Sequence, residues 1–159
     1  MTDSTSKART TSGLTHVRAD GTAHMVDISA KEVTARRAAA SGMVLLSAAA
    51  VAALRGGAVP KGDALGVARV AGIQAVKRTP DLIPLAHPVV VHAVEVDLDV
   101  VDEGVRISAV VRTADRTGIE MEALTAARVA ALARVDMVKA VDKHARITDR
   151  GRQPTDLGG

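Results

Sequence analysis

Residues 94–111, VEVDLDVVDEGVRISAVV, alternate apolar and polar side chains on either side of an acidic break. Val94, Val96, Leu98 and Val100 fall on one face, with Glu95, Asp97 and Asp99 on the other, the period of two that marks a half-buried strand. Beyond Asp102-Glu103, Val105, Ile107, Ala109 and Val111 alternate with Arg106, Ser108 and, one step further, Arg112. Two such runs joined by a short turn predict an antiparallel hairpin. The register that sets Asp99 opposite Arg106 also brings Val94 onto Val111, so charge and apolar pattern agree. The acids of this stretch therefore read as structural.

Downstream, residues 117–143, TGIEMEALTAARVAALARVDMVKAVDK, predict one long helix. Thr117 followed by Glu120 has the form of a capping box. Met121, Leu124, Ala131, Leu132, Val135 and Val138 supply an apolar face, and the alanines add helix propensity. Asp136, Lys139 and Lys143 share another face, while Glu120 and Glu122 stand in the first turn. Glu122 and Asp136 would lie about 21 Å apart on a straight helix. If both ends work in one site, either the helix breaks or the site is shared between subunits, which favours an oligomer. Acids at a helix start and lysines toward its end are also what the macrodipole favours, so the helix alone names no function.

Working back from the hairpin, residues 77–88, KRTPDLIPLAHP, carry Pro80, Pro84 and Pro88, which predicts a shaped loop with no helix through it. It presents His87 among apolar neighbours downstream of Lys77, Arg78 and Asp81: an acid–base group near phosphate-binding cations, or a buried structural histidine. Asp63 is an expected N-cap for the preceding helix, whose stripe is Leu65, Ala68, Gly72, Ile73 and Val76, and Gly66 and Gly72 suggest close packing. Lys61-Gly62 just before that helix suits an anion, although KGD is too short for a P-loop. Ser47 opens an alanine-rich helix that stops at Arg55-Gly56-Gly57. In residues 33–46, alanine content suits a helix, but Arg36, Ala38, Ala40, Gly42, Val44 and Leu46 alternate with the other face and favour a strand. Asp20-Gly21 predicts a turn between two short runs within residues 14–29, where His16 and His24 have no metal-spaced partner and receive no role from spacing.

Ala145 to Thr148 could supply a last short strand. The expected organisation is a polar leader over 1–13, a single α+β domain over 14–149, and a loose tail over 150–159. Its sheet is largely antiparallel and covered on one face by helices. Apolar residues make up 47% of the 159, yet Phe, Tyr and Trp are absent, which removes the stacking platforms of single-stranded nucleic-acid binders. Lys and Arg number 21 against 18 Asp and Glu, a mild excess compatible with small anions. Without cysteine there is no thiolate, zinc ribbon or protein-held iron–sulfur cluster. No apolar run reaches membrane-spanning length, so the expected location is cytoplasmic.

Taken together, HMVDIS (24–29), KGDALGVARVAGIQAVKRTPDLIPLAHP (61–88), TGIEMEALTAARVAAL (117–132) and DMVKAVDK (136–143) resemble the cyclic pyranopterin monophosphate synthase family, also called molybdenum cofactor biosynthesis protein C. The resemblance runs from about Leu14 to Lys143. It implies a ferredoxin-like subunit with a four-stranded, mostly antiparallel sheet, in a hexamer built as a trimer of dimers with active sites between subunits. It implies a lyase that converts 3′,8-cyclo-7,8-dihydroguanosine 5′-triphosphate, the product of a separate radical enzyme, into cyclic pyranopterin monophosphate and pyrophosphate. By the same resemblance Asp136 and Lys139 are the acid–base pair, assisted by Lys61 and His87. Leu85, Ala86, His87, Glu120, Met121 and Glu122 are substrate-binding, and Arg36, Lys77 and Arg78 are the candidates for the triphosphate. No metal ligands are implied, and Mg²⁺ could accompany the triphosphate. Ala86 stands where many members carry cysteine, Val135 where tyrosine is common, and GRQPTDLGG lacks the Lys-Ser-Gly-Gly-Lys type of tail. The alternative is a non-catalytic oligomeric binder of nucleotides or phosphorylated metabolites.

Overall fold

The computed structural model describes residues 13–59 and 63–148; the leader expected over 1–13, apart from Gly13, together with Lys61 and the tail expected over 150–159, lies outside them. The elements are β1 (Thr34–Leu45), α1 (Ala48–Arg55), α2 (Ala64–Lys77), α3 (Thr79–Leu82), β2 (Ala93–Val101), β3 (Gly104–Asp115), α4 (Glu120–Val138) and β4 (Arg146–Thr148). The strands form one antiparallel sheet in the order β2-β3-β1-β4, the arrangement expected of a ferredoxin-like α+β fold. No described helix is long and apolar enough to cross a membrane.

The hairpin register is as the side chains require: Asp99 pairs with Arg106 and Val94 with Val111. Val105, Ile107, Ala109 and Val111 are completely buried, and Glu95 meets Arg112 at 3.0 Å on the outer face. Such an exposed pair contributes little, so the register rests on the apolar face. Residues 34–45 form a strand, which pairs along its whole length with β3. At the turn, Gly104 passes so close to Val44 that an added Cβ would stand 1.9 Å from its carbonyl oxygen.

The helices cover one face of this sheet. Ser47 Oγ caps α1 by accepting from Ala50 N at 3.2 Å, and Asp63 Oδ1 caps α2 by accepting from Gly66 N at 2.9 Å. Gly72 is where α2 meets α4: a Cβ there would lie 3.0 Å from the Ala126 carbonyl oxygen and 3.2 Å from Ala130 Cβ. Gly66 has a different reason, since a Cβ would collide with the capping carboxylate of Asp63 at 2.4 Å.

Three expectations require correction. The long helix starts at Glu120 with Ile119 as N-cap and no side-chain cap, so Thr117 closes no capping box, and the helix ends at Val138 rather than Lys143. Its buried face is Ala123, Ala126, Ala127, Ala130, Ala131, Arg134, Met137 and Val138, whereas Met121 and Leu132 are exposed. The sheet selects alanine because only small side chains let α4 lie against both β1 and α2. Residues 79–82 form a short helix where a loop was expected, because Pro80 falls in its first turn, where a missing N–H costs nothing.

Arg134 is the largest fully buried side chain, and its Nε, Nη1 and Nη2 have no hydrogen-bond partner among the described residues. Burial pushes the guanidinium pKa down, opposed by the charge of Asp63. An unpaired buried cation is costly, so Arg134→Met should stabilise the fold by about 1–3 kcal/mol, read as a rise in thermal midpoint at matched protein concentration. A lower midpoint would show that the guanidinium makes a stabilising contact.

Candidate active site

Two chain segments supply most of the wall of a cavity of about 780 Å³, to which His16 and Ala23 also contribute. The first follows α2. Thr79 Oγ1 donates to the Ala75 carbonyl at 3.0 Å, Ile83 N donates to Thr79 O at 2.8 Å, and Ala86 N donates to Ile83 O at 3.1 Å. With Pro84 and Pro88 restricting the backbone between and after these bonds, Leu85, Ala86 and His87 are delivered to the cavity wall. The second segment is the start of α4, where buried Ile119 anchors the turn and Glu120, Met121 and Glu122 face the same space. Glu120 folds back over Gly118, whose Cβ, if present, would stand 2.2 Å from its carboxylate.

Glu122 is only 2% exposed. Its burial raises the carboxyl pKa above the ordinary 4.5; its own backbone N–H opposes this and the charge of Glu120 adds to it. A carboxyl held neutral can donate as well as accept a hydrogen bond.

His87 is fixed from behind: its Nε2 lies 2.5 Å from the Val26 carbonyl oxygen. A carbonyl only accepts, so the ring proton is assigned to Nε2, leaving Nδ1 as the acceptor of the neutral ring. His87 also lines a second hollow of about 670 Å³ with Asp27, Asp115 and Arg116. Asp27 Oδ1 accepts from Ser29 N at 2.9 Å, and that backbone bond, with the Ser29 hydroxyl and the charge of His87, holds its pKa below the usual carboxylate value. Asp115 is lowered by the Arg116 and Val90 backbone N–H groups, with help from the charges of Arg116 and His92. Arg36 Nε donates to the Asp115 carbonyl at 3.4 Å, which brings Arg36 to the border of this second hollow.

The other candidates stand apart. Lys139 Nζ and Asp136 Oδ1 pair at 2.7 Å, both more than half exposed, at the opposite end of α4 from Glu122. Lys77 ends α2 and Arg78 caps it, both exposed and neither on the cavity wall. Lys143 lies past the helix beside Asp142, a buried carboxylate that accepts from Ser47 N at 2.6 Å and His144 N at 2.8 Å. Among the described residues, no three His, Asp or Glu side chains converge to hold a metal.

Sequence reasoning missed Ile83, Pro84, Thr117 and Gly118 on the cavity wall, and also His16 and Ala23. The prolines marked the first two as shaped loop. Asp20-Gly21 marked the hairpin that carries His16, but nothing in it indicated where that hairpin docks.

The MoaC family model matches residues 25–151. The chain belongs to the MoaC family. A Streptomyces coelicolor protein named cyclic pyranopterin monophosphate synthase is 64% identical over 136 residues, covering 86% of this chain and 80% of that protein. A Nocardioides protein of the same name is 62% identical over 149 residues, covering 92% and 91%, and one from Corynebacterium efficiens is 56% identical over 136 residues, covering 86% and 88%. The matched region contains the Pro-loop and α4 sides of the cavity, whereas His16 and Ala23 precede it.

The raised pKa of Glu122 has a sign that can be checked. As pH rises above about 4.5, the unfolded chain ionises this group while the folded one resists, so stability is lost up to the folded pKa. Glu122→Gln should therefore match the parent in thermal midpoint near pH 4 and exceed it by about 2–4 °C at neutral pH. Equal midpoints at both pH values would contradict the burial of this carboxyl.

Proposed function

We propose that this chain is a cyclic pyranopterin monophosphate synthase, a cytoplasmic lyase of molybdenum cofactor biosynthesis. Its substrate is 3′,8-cyclo-7,8-dihydroguanosine 5′-triphosphate, supplied by a separate radical enzyme, and its products are the cyclic monophosphate and pyrophosphate. The observation that carries this reading is the cavity that joins Leu85, Ala86 and His87 to Glu120, Met121 and Glu122 in a chain of the MoaC family.

The reaction sets definite chemical demands. A cyclic monophosphate forms with loss of pyrophosphate when a substrate hydroxyl attacks the α-phosphorus and the bond to the β-phosphate oxygen breaks, so the hydroxyl must surrender a proton. Opening and rearranging the purine ring requires further proton transfers. Glu122, held toward its neutral form, offers an O–H donor and a carbonyl acceptor, the complement of the N–H and C=O edge of a guanine-derived ring. Met121 and Leu85 shield that edge, and Glu120 accepts from a further N–H. His87 presents Nδ1 as a base, its opposite nitrogen being held by Val26. Asp136 accepts protons, and Lys139, paired with it, donates them; Lys61 assists them. Arg36, Lys77 and Arg78 bind the triphosphate and neutralise the departing pyrophosphate. Mg²⁺ would travel as the counter-ion of the triphosphate.

Glu122 and Asp136 are separated along α4 by about 21 Å, beyond the reach of one small molecule. The working site is therefore composite: the end of α4 in one copy completes the cavity of another, in a hexamer built as a trimer of dimers. The exposure of the Asp136–Lys139 pair suits a surface that a neighbouring copy covers.

Purified protein given freshly prepared substrate should yield pyrophosphate and the pyranopterin in equal amounts by mass spectrometry, and Asp136→Asn and Lys139→Ala should each lower turnover by orders of magnitude at unchanged oligomer mass. Substrate bound but returned unchanged would replace this reading with that of a non-catalytic binder.

A composite site has a further consequence. Asp136→Asn and Glu122→Gln, each inactive alone, should recover roughly a quarter of parental turnover after subunit exchange, the share of sites that random assortment leaves with both halves native. No recovery, with exchange verified by native mass spectrometry, would place the two groups in one subunit's site.

A further inference from the structure

His16 lines the same cavity as His87, Glu120 and Glu122, and nothing above gives it a task. It is held there by a hydrogen-bonded hairpin. Asp20 Oδ1 accepts from Thr22 N at 3.0 Å and from Thr22 Oγ1 at 2.6 Å, Gly21 adopts φ +85°, and Arg18 N donates to Thr22 O at 2.9 Å. Val17 bridges Ala23, and His24 N donates to the His16 carbonyl at 2.9 Å. The backbone of His16 is thus committed to the hairpin, while its ring has no hydrogen-bond partner among the described residues.

The charge distribution in the cavity gives that ring a purpose. Glu122 is buried at the inner end, Glu120 is half-buried beside it, and His16 is exposed at the mouth. Among the lining side chains, only His16 and His87 can carry positive charge, and His87 already spends Nε2 on Val26. A substrate with a base at one end and phosphates at the other fits this polarity in one orientation, with the base inward and the anionic end passing the mouth.

We propose that His16 is a substrate-binding residue that donates a hydrogen bond from its ring to the phosphate end of the substrate, and that the hairpin over residues 14–24 is part of the substrate site. The assignment rests on the synthase reading for the identity of the phosphorylated substrate. It differs from a wall role in predicting an anion-specific loss.

The test compares the parent with His16→Ala and Gly21→Val. His16→Ala should raise KM about tenfold with kcat within about twofold, the signature of lost binding shared by ground and transition states. It should weaken competitive inhibition by pyrophosphate by a similar factor. Gly21→Val, in which valine cannot adopt the positive φ without strain, should move the turn and reproduce the KM rise with His16 retained. Parental KM and parental pyrophosphate inhibition in His16→Ala would overturn the proposal, as would a fall in kcat at unchanged KM. A parent that forms no product overturns the synthase reading instead. Calorimetric titration of the parent and His16→Ala with pyrophosphate then decides the His16 assignment, equal affinity overturning it and a tenfold loss upholding it.

Discussion

Everything in this fold depends on how closely α4 can approach its neighbours. A chain with no Phe, Tyr or Trp must reach interior packing density by bringing backbones together, because it has no large rings to fill wider gaps. At Gly72 the approach is so tight that even a methyl group would press on Ala126 and Ala130. Five alanines on the buried face of α4 continue that contact along the sheet. The result is a closely held helix whose first turn is carried to the cavity by the end of β3.

The ends of that helix occupy different dielectric environments, with opposite consequences for acid–base chemistry. At the first turn, desolvation acts on Glu122 and the charge of Glu120 adds to it, so the neutral carboxyl is favoured. At the last turn, Asp136 and Lys139 sit in water and pair with each other at little net energy. In the proposed role the pair gains strength only where its hydration is removed, and within one copy nothing among the described residues does so. In the proposed composite site that contrast divides the work between copies: one supplies the dry carboxyl, another the charged pair. The buried guanidinium of Arg134 follows a different logic, because it lies inside the subunit, close enough to Asp63 to feel its charge.

The strands were the most legible part of the sequence, because a period of two leaves one consistent register once a face is buried. Asp99 opposite Arg106 and Val94 opposite Val111 follow from that constraint alone. Caps that depend on one residue, Ser47 and Asp63, were also legible. The start of α4 was not, because Thr117 and Glu120 have the spacing of a capping box while the glycine between them lets Glu120 fold back instead. On the apolar face of α4, Ala131 and Val138 are buried and Leu124 and Val135 pack against the core as expected, but Met121 and Leu132 were misplaced for a related reason. Leu132 and Met121 are more hydrophobic than alanine, but the surfaces that α4 must meet leave no volume for them. The substrate-contact candidates of the cavity were legible through family motifs, whereas His16 was not, since a hairpin signal is local and its docking position is a tertiary property.

His87 shows why such docking matters to chemistry. A histidine offers two nitrogens, and which of them is a base depends on what holds the other. Here the holder is a backbone carbonyl of Val26, so the tautomer follows from the path of the chain rather than from the identity of a side chain. The same segment continues to Asp27, whose carboxylate is kept ionised by the backbone of Ser29 and faces the hollow that His87 shares. HMVDIS therefore acts on the cavity from behind: Val26 directs the ring, and Asp27 lines the hollow on its far side. A substitution that preserved every cavity-lining side chain but shifted the backbone at Val26 would leave His87 present and its basic nitrogen unassigned. In the proposed site, the path of residues 14–29, which places His16 on the cavity wall and Val26 behind His87, matters for that reason as much as the carboxylates of α4.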